Sequence, residues 1–269
     1  MGDHSTGFLR VGTSGWAYRH WADFYGPEIR PPGYLARYAR EFPTVEVNNS
    51  FYHLPLPSTY EKWARETPPG FVFALKLSRY ITHIRRLRAV KRETRRFLVN
   101  ALPLTRKRGP LLVQLPPSFQ ADPRRLAQFI DATRDVARDL ELRPSLRLAF
   151  EFRHESWFQS EETRRVLEDA GAVAVSAHST RYPGAEEPWR TASWVYLRFH
   201  GPRELFASEY GEEALQAWGL QIRGWLREGS DVYAYFNNDA RGYALRDATR
   251  LLAMASPSTR AASSARSRT

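Results

Sequence analysis

The sequence has no cysteine, which excludes disulfide bonds, thiolate metal sites and a cysteine nucleophile. It has no apolar run approaching the roughly 18 residues of a membrane-spanning helix. Residues 1–9 also lack the apolar core of a secretory signal. We therefore expect a cytoplasmic protein that has no membrane partner.

Two ligand-binding motifs are missing as well. The stretch Gly12-Thr13-Ser14-Gly15 is too short for the Gly-rich phosphate turn that normally follows the first strand of a doubly wound sheet. Neither an H-x-H nor an H-E-x-x-H spacing occurs, so we assign no metal site. The sequence leaves the cofactor and the oligomeric state open.

The sequence is rich in positive charge and in aromatic rings. The net charge of +11 favours anionic partners, although many arginines are dispersed over helix-like segments, as expected of a solvated exterior. Aromatic residues make up 13% of the chain, which is enough to ask whether some rings line a ligand site.

Strand-like and helix-like segments alternate along the chain, which is typical of parallel βα units. Eight strands are predicted, at Arg10–Thr13, Thr44–Asn48, Phe71–Lys76, Leu111–Gln114, Leu146–Glu151, Ala172–Ala177, Trp194–Phe199 and Val232–Phe236. Helices are predicted at Pro32–Glu41, Ser58–Glu66, Lys91–Ala101, Pro123–Glu141, Glu161–Ala170, Glu212–Arg227 and Tyr243–Met254. The sixth interval, near residues 182–191, shows no convincing long helix. Asp122 and Ser160 are predicted to cap the helices that follow them.

This alternation predicts an α/β protein with a single (β/α)8 TIM-type barrel, and an open doubly wound sheet is the alternative. Residues 10–255 would form the barrel. We expect residues 1–9 to be a flexible leader and residues 256–269, rich in Ser and Arg, to be a disordered basic tail.

The strand at residues 146–151 shows the expected barrel pattern most clearly. Leu148 and Phe150 share one parity, whereas Ala149, Glu151 and Arg153 share the other. The second face is small and apolar until the carboxyl end of the strand, where it becomes charged. That is expected if this face lines the interior of a barrel with a polar mouth.

Every predicted strand after the first ends with polar groups on the same inward parity. These candidate site residues, on or just beyond the strands, are Glu46, Asn48, Lys76, Gln114, Glu151, Arg153, Ser176, His178, Tyr196, Arg198, His200, Tyr235, Asn237, Asn238 and Asp239. Carboxyl ends of barrel strands form the active-site floor. The alternative is a self-satisfied salt-bridge network that only plugs the barrel.

Aromatic loops are expected to roof this mouth. They contain Trp16, Tyr18 and Trp21 after the first strand, Tyr52 in the loop at 49–57, and His154 and Trp157 after the fifth strand. Rings around convergent polar groups suit a planar or sugar-like ligand. For any single ring, the alternative is simple packing of a loop onto the barrel.

Several long motifs stand out along the chain. They are Gly12-Thr13-Ser14-Gly15-Trp16, the stretch 46–52 (E-V-N-N-S-F-Y), 71–76 (F-V-F-A-L-K), 81–83 (I-T-H), 114–119 (Q-L-P-P-S-F), 151–157 (E-F-R-H-E-S-W), 196–201 (Y-L-R-F-H-G) and 235–239 (Y-F-N-N-D). Together they resemble the YecE-like family, catalogued as domain of unknown function 72. The resemblance runs from about Val11 to Ala253 and implies a TIM-type barrel, but no particular reaction. The sixth strand of this family often ends in Asp, where this chain has His178.

The leading functional hypothesis is an enzyme that binds a small anionic or polyhydroxylated ligand at the mouth by acid/base chemistry, as a hydrolase, lyase or isomerase. Glu151 would be the general acid or base, with His200 as its partner. Lys76, Arg153 and Arg198 would neutralise negative charge. Amides of Asn48, Gln114, Asn237 and Asn238 would orient the ligand. Glu46 would be a second carboxylate or would hold Lys76.

Other chemistries are compatible with the same residues. Glu46 and Glu151 would serve a two-carboxylate glycosidase if their separation were suitable. A metal enzyme would use Glu151, His178, His200 and Asp239, although the nearby cations oppose it. A Schiff base on Lys76 is disfavoured if the two glutamates keep this lysine protonated.

A nucleic-acid-binding protein is the hypothesis from another class. It would use the basic exterior, the tail arginines Arg260, Arg266 and Arg268, and stacking of bases on exposed rings. His83 follows the third strand, and we interpret it as a local hydrogen-bonding residue.

Overall fold

The structure, a computed structural model, describes residues 6–179, 181 and 189–256. Its strands are β1 (Leu9–Thr13), β2 (Thr44–Val47), β3 (Val72–Lys76), β4 (Arg108–Gln114), β5 (Leu148–Glu151), β6 (Val173–Ala174), β7 (Ser176–His178), β8 (Trp194–Phe199) and β9 (Asp231–Phe236). Its α-helices are α1 (Ala22–Tyr25), α2 (Tyr34–Glu41), α3 (Asn49–Tyr52), α4 (Pro57–Glu66), α5 (Lys91–Asn100), α6 (Pro123–Asp139), α7 (Glu161–Asp169), α8 (Glu212–Arg227) and α9 (Tyr243–Ala255). A π-helical turn spans Tyr80–Ile84.

The strands form two parallel sheets. One has the order β1-β9-β8-β7 and the other has the order β2-β3-β4-β5-β6. All eight predicted strands are present, but the sixth is interrupted at Val175 and therefore appears as β6 and β7. The first strand begins at Leu9, so the predicted leader boundary falls inside β1. The α/β class with parallel sheets is confirmed.

Backbone contacts join the two sheets at one edge. Ser14 forms an isolated parallel bridge with Glu46, and the backbone amide of Gly15 donates to the carbonyl oxygen of Glu46 at 2.9 Å. Gly12 in β1 also lies close against the Thr44 carbonyl in β2. At the other edge, the Val175 amide between β6 and β7 donates to the Phe150 carbonyl of β5 at 2.8 Å.

The predicted parity of the strands is confirmed by two separate clusters of buried residues. Side chains such as Phe73, Phe150 and Leu197 pack in the large cluster between sheets and helices. Residues of the opposite parity form a smaller cluster on the other sheet face, with Ala74, Leu112, Ala149, Tyr196 and Tyr235 among them. Small and aromatic residues therefore cover this sheet face below the polar strand ends.

The seven predicted helices are all present, with ends shifted by no more than two residues. Both predicted caps are confirmed. The Arg125 amide donates to Asp122 at 3.0 Å, and the Thr163 amide donates to Ser160 at 3.1 Å. The short helices α1 and α3 were not predicted, because four residues hold too little periodic signal.

Several predictions concern residues that the structure does not describe. Most of the predicted tail, residues 257–269, lies outside the described part of the chain, as do residues 1–5 of the predicted leader. Before β1, the Gly7 amide donates to the Leu226 carbonyl at 2.9 Å. Within the described ranges, no helix has the length and apolar character needed to cross a membrane.

Candidate active site

A buried ionic cluster lies at the carboxyl ends of the strands. Arg198 of β8 donates to both carboxylate oxygens of Glu46 in β2, at 3.0 and 2.7 Å. The same guanidinium donates to Glu151 at the end of β5. All three side chains are fully buried. The structure therefore brings together three of the predicted site residues from distant parts of the sequence.

Neighbouring donors complete the hydrogen bonding of the two carboxylates. Ser14 and Tyr196 donate to Glu46, each at 2.7 Å. Gln114 and Arg153 donate to Glu151, at 2.9 and 2.8 Å. Buried charges are tolerated only when they are paired and hydrogen-bonded. These contacts therefore explain why the cluster can be buried.

Glu151 is held as an anion. Burial alone would raise its pKa, but Arg198 and Arg153 bring the pKa of this carboxyl well below its usual range. His200 lies 3.8 Å from Glu151, and burial together with Arg198 lowers its pKa to about 3. At neutral pH the pair is thus a carboxylate beside a neutral imidazole. Neither group has the pKa of a general acid at pH 7.

Lys76, at the end of β3, is the ionisable group whose environment differs most from the expectation. Its side chain is only 9% exposed, and its ammonium nitrogen lies 4.3 Å from the centre of the Phe51 ring. Burial, reinforced by Arg198, lowers the pKa of Lys76 to about 7, although Glu151 and Glu46 act in the other direction. The two glutamates do favour the protonated lysine, as expected, but burial and Arg198 outweigh them.

A cavity of about 700 Å³ opens above this cluster. Seven predicted site residues line it, namely Asn48, Tyr52, Lys76, Gln114, Arg153, Asn237 and Asp239. Glu46, Glu151, Arg198 and His200 are buried beneath it and are absent from its wall. The polar strand ends thus converge as expected, but the two carboxylates form the foundation of the cavity rather than its surface.

Five other predicted site residues do not line this cavity. Trp157 is fully buried, stacks on Phe152 and donates to the Phe119 carbonyl at 2.7 Å, so this ring packs its loop onto the strands. Tyr235 is buried with its hydroxyl 2.8 Å from Thr44. The remaining three, Asn238, His178 and His154, hydrogen-bond with Asp247, Tyr210 and Ser156. Their environments correspond to the packing alternative.

The rim of the cavity carries a half-buried acid. Asp239 accepts from the indole of Trp21 at 2.8 Å and lies 2.8 Å from the His20 ring. Burial raises the pKa of Asp239 to about 6, even though Trp21 and His20 lower it. This carboxyl therefore has a pKa suited to proton exchange near neutrality.

Some residues of the cavity wall were not predicted as site residues. Arg79 follows β3 in an exposed position, and His20 and Phe206 come from loops. The missing signal is parity, because loops do not repeat with a period of two. His83 also lines the cavity and lies 2.9 Å from Thr82, while burial and Lys76 lower its pKa to about 4.

Two further cavities lie away from these ionisable groups. One, of about 590 Å³, is lined by α5, α6 and the segment at 87–90. The other, of about 1030 Å³, lies at the amino ends of β5, β6 and β8. The described residues contain no cluster of three or more His, Asp or Glu side chains arranged to hold a metal ion. The cavity at the strand carboxyl ends is therefore the candidate active site.

The chain matches a known protein family over nearly its whole length. The family model described as "Protein of unknown function DUF72" matches residues 10–269. The chain belongs to the DUF72 family. Among curated relatives, the UPF0759 protein YunF of Bacillus subtilis is 24% identical over 272 residues, covering 91% of this chain and 93% of YunF. The UPF0759 protein YecE of Escherichia coli is 31% identical over 136 residues, covering 49% of this chain and 46% of YecE.

Solved structures agree with this DUF72 assignment. A DUF72 family protein from Thermotoga maritima superposes with a TM-score of 0.77 at 27% identity, covering 92% of this chain and 98% of that protein. A family 2 AP endonuclease from Brucella melitensis has a TM-score of 0.50 at 13% identity, covering 90% and 96%. At that identity the second likeness concerns the fold alone.

Proposed function

We propose that this DUF72 protein is an enzyme that acts on a small anionic molecule at the carboxyl-end cavity, with Lys76 as the group that exchanges protons. The observation that carries the proposal is the position of Lys76, a nearly buried amine in the wall of a ligand-sized cavity that Arg79 and Arg153 also line. Burial and Arg198 lower the pKa of this amine to about 7. Such a pKa suits acid/base work at neutral pH.

The charge of the cavity supports an anionic ligand. Arg79 and Arg153 line it together with Lys76, whereas Asp239 is the carboxylate among the described residues of its wall. A guanidinium matches carboxylate and phosphate oxygens with two parallel hydrogen bonds. The amides of Asn48, Gln114 and Asn237 would orient the rest of the molecule. A volume of about 700 Å³ is typical of small-molecule sites.

The roles of the buried carboxylates differ from the initial hypothesis. Glu151 would not donate a proton, because its pKa lies well below its usual range. Instead, Glu46 and Glu151 would hold Arg198 and Arg153 in place below the ligand, as partners that position other groups. A glycosidase mechanism is not supported, because both carboxylates are fully buried.

We also propose that the two sheets close into one eight-stranded TIM-type barrel, with β6 and β7 as a single interrupted strand. The Ser14–Glu46 bridge at one junction and the single intervening residue Val175 at the other support this closure. Closure would place the ends of all strands around one mouth.

A thermal-shift screen of carboxylates, phosphate esters and neutral sugars tests the proposed function. We expect at least one anion to raise the melting temperature of the wild-type protein. Arg79→Gln and Arg153→Gln should reduce that shift. Arg85→Gln is the matched control and should not reduce it, because it removes the same charge from an exposed residue outside the cavity wall. A shift that survives in both cavity variants, or a preference for neutral sugars alone, would contradict the proposal.

A further inference from the structure

We propose that Lys76 is a nucleophile that forms a Schiff base with an aldehyde or ketone bearing a carboxylate or phosphate. This inference rests on the proposed anion-binding function and names its substrate class as small anionic carbonyl compounds. It goes further than proton exchange, because it assigns a covalent bond to the Lys76 amine.

The backbone around Lys76 is held firmly. Lys76 pairs with Leu112 in the parallel ladder between β3 and β4. Its carbonyl oxygen accepts the hydroxyl of Ser50 at 2.7 Å, which fixes the start of α3 against the end of β3. The side chain then runs past the Phe51 ring to the cavity wall. An amine placed in this way has little conformational freedom left to lose when a carbonyl compound binds.

The chain contains only four lysines, and the other three have partners that Lys76 lacks. Lys62 and Lys91 are exposed and pair with Glu66 and Asp135. Lys107 donates to two backbone carbonyls, both at 2.6 Å. Across the described residues, no carboxylate lies within 4.0 Å of the Lys76 nitrogen. A lysine retained for charge alone would be expected to hold such a partner.

The arginines account for the reactivity of this amine. Arg198 and Arg153 take the carboxylates that would otherwise stabilise an ammonium ion at residue 76. Burial and the same guanidinium groups then favour the neutral amine. At pH 7 about half of the Lys76 side chains would be neutral, against roughly one in a thousand or fewer for an ordinary exposed lysine. Only the neutral amine carries the lone pair that attacks a carbonyl.

The reaction balances without an external oxidant or reductant. The nitrogen lone pair attacks the carbonyl carbon, and the electrons of the C=O π bond move to oxygen. The two amine protons and that oxygen leave as water, so that one C=N bond replaces one C=O bond. Asp239, with its pKa raised to about 6, lines the same cavity and is the acid available for these proton transfers. The anionic group of the substrate would bind Arg79 or Arg153.

Borohydride trapping on the full-length protein tests the inference. The protein is incubated with glyoxylate, pyruvate or dihydroxyacetone phosphate, with acetone as the neutral control, and then with sodium cyanoborohydride. Trapping adds the mass of the carbonyl compound less one oxygen atom. Beyond any addition at the N-terminal α-amine, whose pKa is also near neutrality, we expect one such addition per chain, mapped to Lys76 by peptide mass spectrometry. Its rate at pH 7 should exceed that at Lys62 or Lys91 by at least about tenfold, because of their different neutral fractions.

Two variants and a pH series complete the design. Lys76→Arg should abolish the addition, whereas Lys62→Arg, which changes an exposed ion pair, should leave it unchanged. Should Lys76→Arg not fold, the wild-type pH series still decides the matter: labelling of Lys76 should have its midpoint near pH 7, while that of Lys62 rises only above about pH 9.

The outcomes separate this inference from the proposed function. No addition from any of the three anionic probes, or equal labelling of Lys62, Lys76 and Lys91, overturns the Schiff base. If anions nevertheless raise the melting temperature through Arg79 and Arg153, the proposed binding function stands without it. Loss of both the thermal shift and the labelling removes both proposals.

Discussion

Arg198 sets the electrostatics of the whole site through one side chain. It binds Glu46 and Glu151 at once, and together with Arg153 it balances the charge of these two buried acids. An arginine does not lose its proton at physiological pH. Lys76 is then left next to a cluster that has no unsatisfied negative charge. The lowered pKa of Lys76 therefore follows first from burial and then from Arg198, whose contacts also hold the two glutamates.

The buried Lys76 predicts a specific pH dependence of stability. Its pKa is about 7 in the folded protein and 10.5 ordinarily, so between these values the unfolded chain binds more protons than the folded one. The free energy of unfolding contributed by this group therefore rises with pH across the window from about 7 to 10.5 and is lowest below about pH 7. Lys76→Met removes this dependence. The stability of the variant relative to wild type should be highest near pH 6 and fall by a few kcal/mol by about pH 10.

Urea unfolding at a series of pH values measures this difference. Lys62→Met is the matched control, because Lys62 is half exposed. Its substitution should change the free energy of unfolding by a nearly constant amount across the pH series. The free energy of unfolding of Lys76→Met relative to wild type should fall as the pH rises. If this difference does not change with pH, or grows, the pKa of Lys76 is not lowered in the folded state.

Parity made the most important site residues predictable. Glu46, Lys76, Glu151 and Arg198 all follow from the alternation of strand side chains, since each occupies the inward position near a strand end. Which of them reach the ligand cavity did not follow, because depth depends on how far each side chain extends and which partner it finds. The lowering of the Lys76 pKa was not predictable for the same reason: the sequence indicates the neighbours but not how deeply the lysine is buried or which of its neighbours pair.

At the scale of elements, the alternation of strands and helices was predictable because long βα units carry a clear periodicity. The interruption of the sixth strand at Val175 was not, since Val173, Val175 and Ala177 read as continuous strand. The loops that complete the cavity wall, which carry His20, Arg79 and Phe206, are positioned by contacts distant in sequence. Local pattern alone therefore defines the floor of the site better than its walls.

The junction between the two sheets gives a prediction for β1. A Cβ atom at Gly12 would lie 2.2 Å from the Thr44 carbonyl oxygen of β2, which is far inside van der Waals contact. Gly12→Ala should therefore push β1 and β2 apart and destabilise the protein, at the upper end of about 1–3 kcal/mol. Chemical denaturation of the purified variant measures the change.

Gly70→Ala is the matched control for this substitution, because Gly70 is exposed and a Cβ there meets no atom within 4 Å. Its stability should stay near that of wild type. If Gly12→Ala proved equally harmless, β1 and β2 would not approach each other as closely as the structure has them, and the proposed barrel closure would lose its main support.

At the scale of the whole molecule, the net charge of +11 is the property that keeps the nucleic-acid hypothesis in view. Much of the positive charge on the helices is already paired within the chain. Arg65, Arg164 and Arg165 each face a glutamate one turn away on the same helix. An exterior of this kind attracts polyanions in general, although these arginines are already paired.

We therefore expect the full-length protein to bind single-stranded RNA and DNA weakly, through phosphates alone. Fluorescence anisotropy should show the affinity falling by about tenfold or more between about 50 and 200 mM salt. Removal of residues 257–269, with their three arginines, should weaken the binding further. Tyr52→Ala, at the 70% exposed ring beside the cavity, should leave it unchanged. Salt-insensitive binding that depends on Tyr52 would instead favour base stacking as a real function.

The groups of the ionic cluster and the cavity are supplied from Ser14, just after β1, to Asp239, just after β9, across more than two hundred residues of chain. A ribosome-bound nascent chain therefore lacks the complete site. Lys76 is synthesised long before Arg198, which binds the two neighbouring glutamates. Until translation passes Arg198, the unfinished polypeptide lacks the guanidinium that pairs with both acids and lowers the pKa of Lys76. The environment that lowers the pKa of Lys76 is thus complete only in the folded chain, well after the lysine itself has been synthesised.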